Sequence, residues 1–200
     1  MLKMGLTGGI ASGKSAVAAM LREMGFRVLE ADLVAHKLIE PGQPAHDEVL
    51  KEFGSDLADG SGQIDRAKLA AIVFADPAKL KKLNGIIHPR VKEIIFQKFQ
   101  EWERKGVRDA VFVEAALLVE AGFYQKLDGL VVTFCEPELQ LERLRARGMS
   151  EVEAKRRLAA QLPVEEKLRH ATERIDCSGS LEETRAQVRS LAAKLRSIKS

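Results

Sequence analysis

Residues 5–17 read GLTGGIASGKSAV, and a glycine-rich turn lies at the centre of this stretch. Residues 8–15, GGIASGKS, match G-x-x-x-x-G-K-[ST] at every fixed position. An apolar run precedes the turn, and a run compatible with a helix, Ser15 to Met24, follows it. In this context backbone N–H groups can approach phosphate oxygens, because glycines place no Cβ atoms in the way. The stretch therefore predicts a phosphate-binding loop between a strand and a helix.

The side chains of this loop have separate expected tasks. Lys14 is expected to reach the β- and γ-phosphates of a nucleotide, and Ser15 to ligate Mg²⁺. Further nucleotide contacts are expected from Gly8, Gly9, Ile10, Ala11, Ser12, Gly13 and Ala16. A plain glycine turn is the alternative, but such a turn does not require the Lys-Ser pair. A dinucleotide-binding fingerprint is excluded here, since no G-x-G-x-x-G occurs.

Composition narrows the classes of function. The chain has 200 residues, of which 46% are hydrophobic, so it can bury a core. Its 32 basic and 29 acidic residues are interspersed and give a net charge of +3, which indicates a solvated surface with no nucleic-acid partner. No apolar run approaches the length of a membrane span, and no secretory signal pattern opens the chain. We expect a soluble, cytoplasmic protein.

Apolar, strand-like runs alternate with longer helical ones along the chain. Five strands are predicted, at Leu2 to Leu6, Arg27 to Glu30, Ala110 to Glu114, Gly129 to Phe134 and Arg174 to Asp176. This alternation is typical of an α/β fold, a parallel sheet with helices on its faces. The two cysteines, Cys135 and Cys177, fit no metal spacing and are expected to be buried thiols without a disulfide.

Two helical excursions interrupt the alternation. The first, residues 33–108, is too long for an ordinary crossover and is interpreted as a helical insertion over the C-terminal edge of the sheet. Turn or helix-start signals punctuate it, among them Asp59 to Gly62 and His88-Pro89. The second runs from Glu136 to about His170, with a break at 147–149 and a capping box from Ser150 to Glu153.

Two acidic residues follow predicted strands. Asp32 comes just after the second strand, at the sheet edge and beside the phosphate loop, where it could take the proton of an attacking hydroxyl. It could equally be the N-cap of a helix from Leu33 to Ile39, and both interpretations stay open. Glu114 ends the third strand and is either an outer partner of Mg²⁺ or an acid of a helix or loop.

Basic residues form the other informative cluster. The second excursion carries five arginines, Arg143, Arg145, Arg147, Arg156 and Arg157. At least one of them is expected to close over a transferring phosphoryl group, a task that suits the planar guanidinium. The alternative is a solvated helix face with pairs such as Glu153 with Arg157. His88 is similarly either a helix-start residue or a participant in the chemistry.

Nine segments in a fixed order are informative together. They are GLTGGIASGKS at 5–15, EAD at 30–32, PGQPA at 41–45, a G…DG…IDR series ending at Arg66, IIHP at 86–89, LLVE at 117–120, QLERLRAR at 140–147, AAQLPVEEKL at 159–168 and IDCSGSLEE from 175. In these segments the chain resembles the dephospho-CoA kinase family. The resemblance implies a P-loop kinase with a five-stranded parallel sheet core, a helical substrate-binding insertion and a helical lid. It also implies ATP and dephospho-CoA as partners, with Mg²⁺.

Domains and residue roles follow from that resemblance. The nucleotide-binding core is expected at 1–32, 109–137 and 171–200, the CoA-binding insertion at 33–108 and the lid at 138–170. Asp32 is implied to be the base that activates the 3′-hydroxyl of the acceptor ribose. The acceptor side is implied to include Arg66, His88 and Leu117, and the ATP side Arg143, Arg147 and Cys177.

The sequence departs from the family pattern at four places. Glu30 stands where aspartate is usual and keeps the charge, whereas Ala116 replaces a proline and is expected to loosen a loop near the acceptor. Ala171-Thr172 replaces an alanine-aspartate pair, and Cys177 replaces an asparagine near the adenine.

A different small-molecule or nucleoside-monophosphate kinase, or a nucleotide-binding switch, remains an alternative function. A monomer or weak homo-oligomer is expected.

Overall fold

The computed structural model describes residues 1–198, apart from the side chain of Phe74. The chain divides into two compact units. The core unit joins Met1–Glu30 to Trp102–Ser200, and the helical unit is Ala31–Glu101. Among the described residues, none of the helices combines the length and the apolar composition needed to cross a bilayer.

A five-stranded sheet forms the centre of the core unit. Its strands are β1 (Lys3–Gly8), β2 (Arg27–Glu30), β3 (Val111–Glu114), β4 (Gly129–Phe134) and β5 (Glu173–Asp176). Their order is β2-β3-β1-β4-β5, and every neighbouring pair is parallel. The predicted α/β class and the five strands are confirmed, with bounds that differ by at most two residues.

Sheet order corrects one expectation about position. The strand next to β1 is β3, because β2 lies outside it at the sheet edge. Leu6 is paired in register with Glu114, and Glu114 in turn with Glu30. The second strand therefore ends one strand further along this sheet edge than expected, and the strand end next to β1 is that of Glu114.

Helices cover the sheet and make up the helical unit. In chain order they are α1 (Lys14–Glu23), α2 (Ala31–Leu38), α3 (His46–Phe53), α4 (Arg66–Phe74), α5 (Pro77–Arg104), α6 (Pro137–Ala146), α7 (Glu151–Ala159), α8 (Val164–Arg169) and α9 (Leu181–Ser197). The succession α2 to α5 confirms that residues 33–108 are mainly helical.

The main hydrophobic cluster of the core unit lies where α1 and α9 pack on the sheet. Leu6, Leu21, Phe112 and Val188 are fully buried in it. Phe26 meets Phe112 edge to face, with ring centroids 5.6 Å apart. Each such side chain contributes about 1.5–3 kcal/mol by leaving water. This packing fixes the C-terminal end of β1, where the phosphate loop begins.

Asp32 is not the N-cap of a helix. Helix α2 begins at Ala31, directly after β2, so Asp32 lies in its first turn. Asp is favoured at the N-cap because its carboxylate accepts from free N–H groups, but a carboxylate one position further still complements the helix dipole. The capping interpretation is wrong, and the side chain of Asp32 is exposed to solvent.

The prediction of a turn or helix start at His88-Pro89 is also wrong. Helix α5 runs through Pro89, which places His88 in its interior. Buried apolar residues at helical spacing continue on both sides of the proline, as Ile86, Val91, Ile95 and Phe99. Nη1 of Arg90 also donates to the carbonyl of Ile86 at 2.6 Å. The burial of this face outweighs the local preference of proline for a helix start.

Two further local signals are confirmed, and a third is confirmed in part. The turn at Asp59 closes with a hydrogen bond from Gly62 N to Asp59 O of 2.9 Å. The second excursion breaks at Gly148, whose φ is 81°, between α6 and α7. The Ser150 hydroxyl accepts from Glu153 N and caps α7, but the predicted capping box is incomplete, because the Glu153 carboxylate pairs with Arg157.

Candidate functional site

The phosphate loop connects β1 to α1 and requires glycine at two positions. A Cβ on Gly8 would lie 2.1 Å from Oγ1 of Thr133 and 2.6 Å from its carbonyl oxygen. Gly13 has a φ of 91°, and a Cβ there would lie 2.7 Å from Sγ of Cys177. All three distances are shorter than a real Cβ contact, and the φ of Gly13 is one that other residues rarely adopt. The glycines of the motif are thus required by the packing of this chain.

Hydroxyl groups hold the loop against β4. Oγ of Ser12 lies 2.8 Å from Oγ1 of Thr133, and both residues are buried. Thr133 also donates to the carbonyl of Thr7, at 3.3 Å. Ala11, which lies between Thr7 and Ser12 in the chain, has a φ of 60°, an unusual conformation for a residue with a side chain. A rigid surrounding is needed to maintain such a conformation, and these bonds supply part of it.

Side chains from the second excursion hold the tip of the loop. The backbone N–H of Ile10 donates to Oε1 of Gln161 at 2.9 Å, and its carbonyl accepts from Nε2 of Gln140 at 3.0 Å. Arg143 donates from Nη1 to the carbonyl of Ala11 at 3.2 Å and from Nη2 to that of Cys177 at 2.7 Å. Both backbone groups of Ile10 are therefore bound by side chains from outside the loop.

Lys14 forms an ion pair with Glu114. Its Nζ lies 2.6 Å from Oε1, and the side chains of the two residues are only 15% and 7% exposed. Arg22 adds a more distant contact of 3.9 Å to Oε2 of Glu114 and pairs with Glu30 at 2.5 Å. The carboxylate of Glu114, at the end of β3, thus fixes the position of the ammonium group and neutralises it at low exposure.

A cavity of about 580 Å³ opens over the loop. It is lined by residues 9–16 and, from other parts of the core unit, by Ala116, Arg143, Arg147, Gln161, Cys177, Gly179, Leu181 and Thr184. The predicted nucleotide-side residues other than Gly8 therefore all line this one space. Its volume suits a nucleotide, since ligand pockets measure about 300–1,000 Å³.

Two other arginines of the cluster lie on the surface. Arg145 pairs with Glu151, and Arg157 with Glu153 at 2.8 Å, and both arginine side chains are more than half exposed. The alternative of a solvated helix face is confirmed for these two. Exposed pairs of this kind contribute at most about 1 kcal/mol to stability.

The two cysteines are free and buried, as expected. Burial raises the pKa of the Cys177 thiol to about 11 and also raises that of Cys135. Because the thiolate is the reactive form, these thiols are chemically quiet at neutral pH. Cys177 contributes to the site through its backbone carbonyl and through its contact with Gly13.

The predicted acceptor-side residues lie in different units. Asp32, Arg66 and His88 belong to the helical unit, and Leu117 belongs to the core unit. Arg66 is the first residue of α4, which is capped by the side chain of Asp65. His88 is half-buried, and burial, followed by the charge of Lys92, lowers its pKa. The Leu117 side chain lies in the turn after β3 and is 43% exposed.

Sequence reasoning gave no role to Gln140, Gln161, Thr133 or Lys167. The first three contact the phosphate loop or bind its backbone, and Lys167 is a fully buried lysine of α8. Gln140, Gln161 and Lys167 stand within the segments quoted for the family resemblance. Their place in those segments was the one signal that could have singled them out, because polar residues are otherwise expected to be exposed to solvent.

Ser15, which lines the cavity, and Glu114, at the end of β3, fit Mg²⁺. Ser15 offers an exposed hydroxyl in the first turn of α1, and Glu114 offers a carboxylate at the adjacent strand end. No group of three or more His, Cys, Asp or Glu residues suited to a metal occurs among the described residues. Mg²⁺ does not need such a cage, because it keeps several waters and binds one or two protein oxygens together with substrate phosphates.

Comparisons with known proteins agree with this geometry. The dephospho-CoA kinase family model matches residues 2–183. The dephospho-CoA kinase of Symbiobacterium thermophilum is 45% identical over 92% of this chain and 77% of that protein, and that of Aquifex aeolicus 43% identical over 98% of both. The solved dephospho-CoA kinase from Campylobacter jejuni is 29% identical, with a TM-score of 0.72 over 98% of this chain and 96% of that one. The chain belongs to the dephospho-CoA kinase family of phosphotransferases.

Proposed function

We propose that this protein transfers the γ-phosphoryl group of ATP to the 3′-hydroxyl of dephospho-CoA, giving CoA and ADP, the final step of CoA biosynthesis. One observation carries the proposal: Lys14 and the phosphate loop form the floor of a nucleotide-sized cavity that Arg143 and Arg147 also line. The choice of dephospho-CoA as the acceptor rests on the names of the relatives, and the choice of ATP as the donor rests on the cavity.

On the donor side, the loop binds the phosphates of ATP. The positive end of α1 and the backbone N–H groups of the loop attract phosphate oxygens. Lys14 lies beside them and neutralises the charge that develops on the transferring group. The bonds that Ile10 and Ala11 make to Gln140, Gln161 and Arg143 keep the loop in one conformation, so no reorganisation is needed when ATP binds.

Ser15 is the residue proposed to hold Mg²⁺, with Glu114 as an outer partner. When bound, Mg²⁺ would supply positive charge that offsets the negative charge of the phosphates. The position of Ser15 in the first turn of α1, directly after the phosphate loop, supports this proposal. Glu114 is held in position by Lys14, at 2.6 Å.

On the acceptor side, Asp32 is the proposed general base. It orients the 3′-hydroxyl and accepts its proton as the bond to phosphorus forms, which in phosphoryl transfer is largely a positioning role. Arg66, His88 and Leu117 are proposed to bind dephospho-CoA, and residues 33–108 to form its binding domain. The low pKa of His88 favours the neutral ring, which suits a hydrogen-bond or stacking contact more than a charge contact.

Residues 138–170 are proposed as a lid that excludes water and so prevents hydrolysis of ATP. The two cavity arginines have different roles. Arg143 binds two backbone carbonyls and so shapes the cavity, whereas Arg147 is exposed and is proposed to contact the phosphates. Cys177 and the turn to Gly179 are proposed to lie near the adenine.

An acceptor panel tests the proposal. The purified protein would be assayed for ADP release with ATP and Mg²⁺, in the presence of dephospho-CoA, adenosine, AMP or shikimate, and with no acceptor. Release that depends on dephospho-CoA, with CoA identified by mass, is the expected result. Turnover with another acceptor would support a different small-molecule kinase. Slow hydrolysis unaffected by any acceptor would support a nucleotide-binding switch.

A further inference from the structure

Lys167 is a buried charge that the proposed reaction does not use. It lies in α8, and its side chain is 0% exposed. A lysine is almost never fully buried unless its ammonium group is paired, because desolvation of the charge is expensive. The positions of its partners therefore indicate what the residue does.

Both partners of Lys167 lie in one turn, residues 116–120, which follows β3. Its Nζ donates to the carbonyl of Ala116 at 2.7 Å and pairs with Oε1 of Glu120 at 2.7 Å. The carbonyl of Ala116 also accepts from Oγ1 of Thr7, at 3.1 Å. The two ends of the turn are thus bound to one ammonium group. The loop expected to be loose, because Ala116 replaces a proline, is held by these bonds.

The chain just before Lys167 is bound to the phosphate loop and to the 116–120 turn. Gln161 accepts from Ile10 N at 2.9 Å, and the next residue, Leu162, donates its N–H to Oε1 of Glu120 at 3.2 Å. Residues 161–167 therefore join the phosphate loop to the 116–120 turn. Ala116 and Gln161 both line the nucleotide cavity.

We propose that Lys167 is a positioning residue, which fixes the 116–120 turn relative to the phosphate loop so that the acceptor is aligned for transfer. This inference rests on the proposed function, in which Leu117 of the same turn binds dephospho-CoA. Misalignment of reacting groups by about 1 Å can lower the rate about 100-fold, so loosening the turn should produce a measurable loss of rate. ATP is bound by the loop itself, and its affinity depends little on Lys167.

Three substitutions test the assignment. Lys167→Met removes the charge at similar length. The double variant Lys167→Met/Glu120→Gln also removes the carboxylate that the first change leaves without its buried partner. Thr7→Val has the shape of the native residue and removes only the other bond to the carbonyl of Ala116. Lys194→Met/Glu173→Gln is the matched control, because it removes a Lys–Glu pair whose lysine is 58% exposed.

Each variant would be characterised by thermal unfolding, by the Kd of a non-hydrolysable ATP analogue and by kcat and KM for dephospho-CoA. We expect kcat/KM for dephospho-CoA to fall at least about tenfold in Lys167→Met and in the double variant, and to fall less in Thr7→Val. The Kd of the ATP analogue stays within about threefold, and the control matches wild type. The double variant recovers most of the Tm that Lys167→Met loses, without recovering kcat/KM.

Recovery of kcat/KM together with Tm in the double variant would overturn the proposal, because Lys167 would then be only structural. Parallel loss of ATP affinity and turnover would overturn it as well. If Lys167→Met does not fold alone, the double variant and Thr7→Val decide between these outcomes. Wild-type protein that transfers no phosphate to dephospho-CoA would remove the proposed function and this inference together, whereas active wild type with unchanged variants would remove only this inference.

Discussion

Nζ of Lys14 lies 2.6 Å from Oε1 of Glu114, and this ion pair links the start of a helix to the end of a strand. Lys14 starts α1 just after the phosphate loop, and Glu114 is the last residue of β3. The pair is mostly removed from solvent, so each charge depends on the other. The lysine proposed to stabilise the transferring phosphate therefore also contributes to the folded structure through this ion pair.

Lys14→Ala is expected to reduce both activity and stability. Turnover falls by at least about 100-fold, because a charge directed at the transferring phosphate is lost. The free energy of unfolding falls by about 3 kcal/mol, because Glu114 is left buried with only the distant Arg22. Chemical denaturation and steady-state kinetics measure the two effects. Lys82→Ala, which breaks an exposed pair with Glu52, is the control, and an equal loss of stability there would contradict the explanation.

Asp32→Asn is expected to separate binding from chemistry. The amide cannot accept the proton of the hydroxyl, so kcat falls by about 100-fold or more. Affinity for ATP stays nearly unchanged, because Asp32 follows β2, an edge strand separated from β1 by β3. Calorimetric titration with an ATP analogue and product analysis by mass measure these quantities. Unchanged turnover would remove Asp32 from its proposed role.

Arg147→Ala is expected to lower kcat by about 100-fold, with a smaller effect on ATP affinity, since its guanidinium stabilises charge that grows during transfer. Arg145→Ala is the matched control on the same turn of chain, because Arg145 pairs with Glu151 on the surface. Its kinetics should equal those of wild type. Equal losses in the two variants would indicate that the charge of this region matters more than the position of Arg147.

Gly8→Ala is expected to destabilise the protein by about 1–3 kcal/mol and to abolish ATP binding. The added methyl group would meet backbone and side-chain atoms of Thr133 and would displace the loop. Gly60→Ala is the control, because a Cβ at Gly60 would meet no atom within 4 Å. Unfolding curves and ATP titrations of both variants check this, and normal ATP binding by Gly8→Ala would show that the loop adapts.

His46 makes the stability of the helical unit depend on pH. Its Nδ1 lies 2.8 Å from Oδ1 of Asp47 and its Nε2 lies 2.8 Å from the carbonyl of Gly62. Both partners are acceptors, so the protonated ring satisfies both, and the hydrogen bond to Asp47 and then that to Gly62 raise the pKa of His46. The raised pKa means that the folded state binds the proton more tightly than the unfolded state.

This stabilisation is fully present below the ordinary histidine pKa of about 6.5 and is lost as pH rises through the higher folded-state value. Thermal unfolding of wild type and His46→Gln from pH 5.5 to 8.5 measures it. The Tm difference between the two proteins should be largest at the acidic end and smallest at the basic end. A difference independent of pH would contradict the role of protonation.

The strands and the phosphate loop could be predicted from sequence because each has a local signal. Apolar runs marked β1 to β5, and the glycine and Lys-Ser pattern marked the loop, whose glycines the packing of Thr133 and Cys177 requires. The order of the strands in the sheet could not be predicted in this way, because no short segment of the sequence indicates it. Nothing near Glu114 indicates that β3 inserts between β1 and β2, so the partner of Lys14 appeared only in the folded structure.

Predictions failed where tertiary packing overrides a local preference. The His88-Pro89 pair suggests a turn, but the apolar face that includes Ile95 and Phe99 keeps α5 continuous. Sequence analysis gave Lys167 no role, and only its contacts with Ala116 and Glu120 show a buried charge. Long-range pairs of this kind depend on the fold, and the composition of a short segment does not encode them.

The most direct test of the central claim is a single-turnover reaction with ATP labelled in its γ-phosphoryl group and unlabelled dephospho-CoA. Mass spectrometry and phosphorus NMR would locate the label in the product. We expect one labelled phosphate on the 3′-hydroxyl of the ribose, giving CoA, together with unlabelled ADP. Label found in inorganic phosphate or at another hydroxyl, with no CoA formed, would contradict the proposed function.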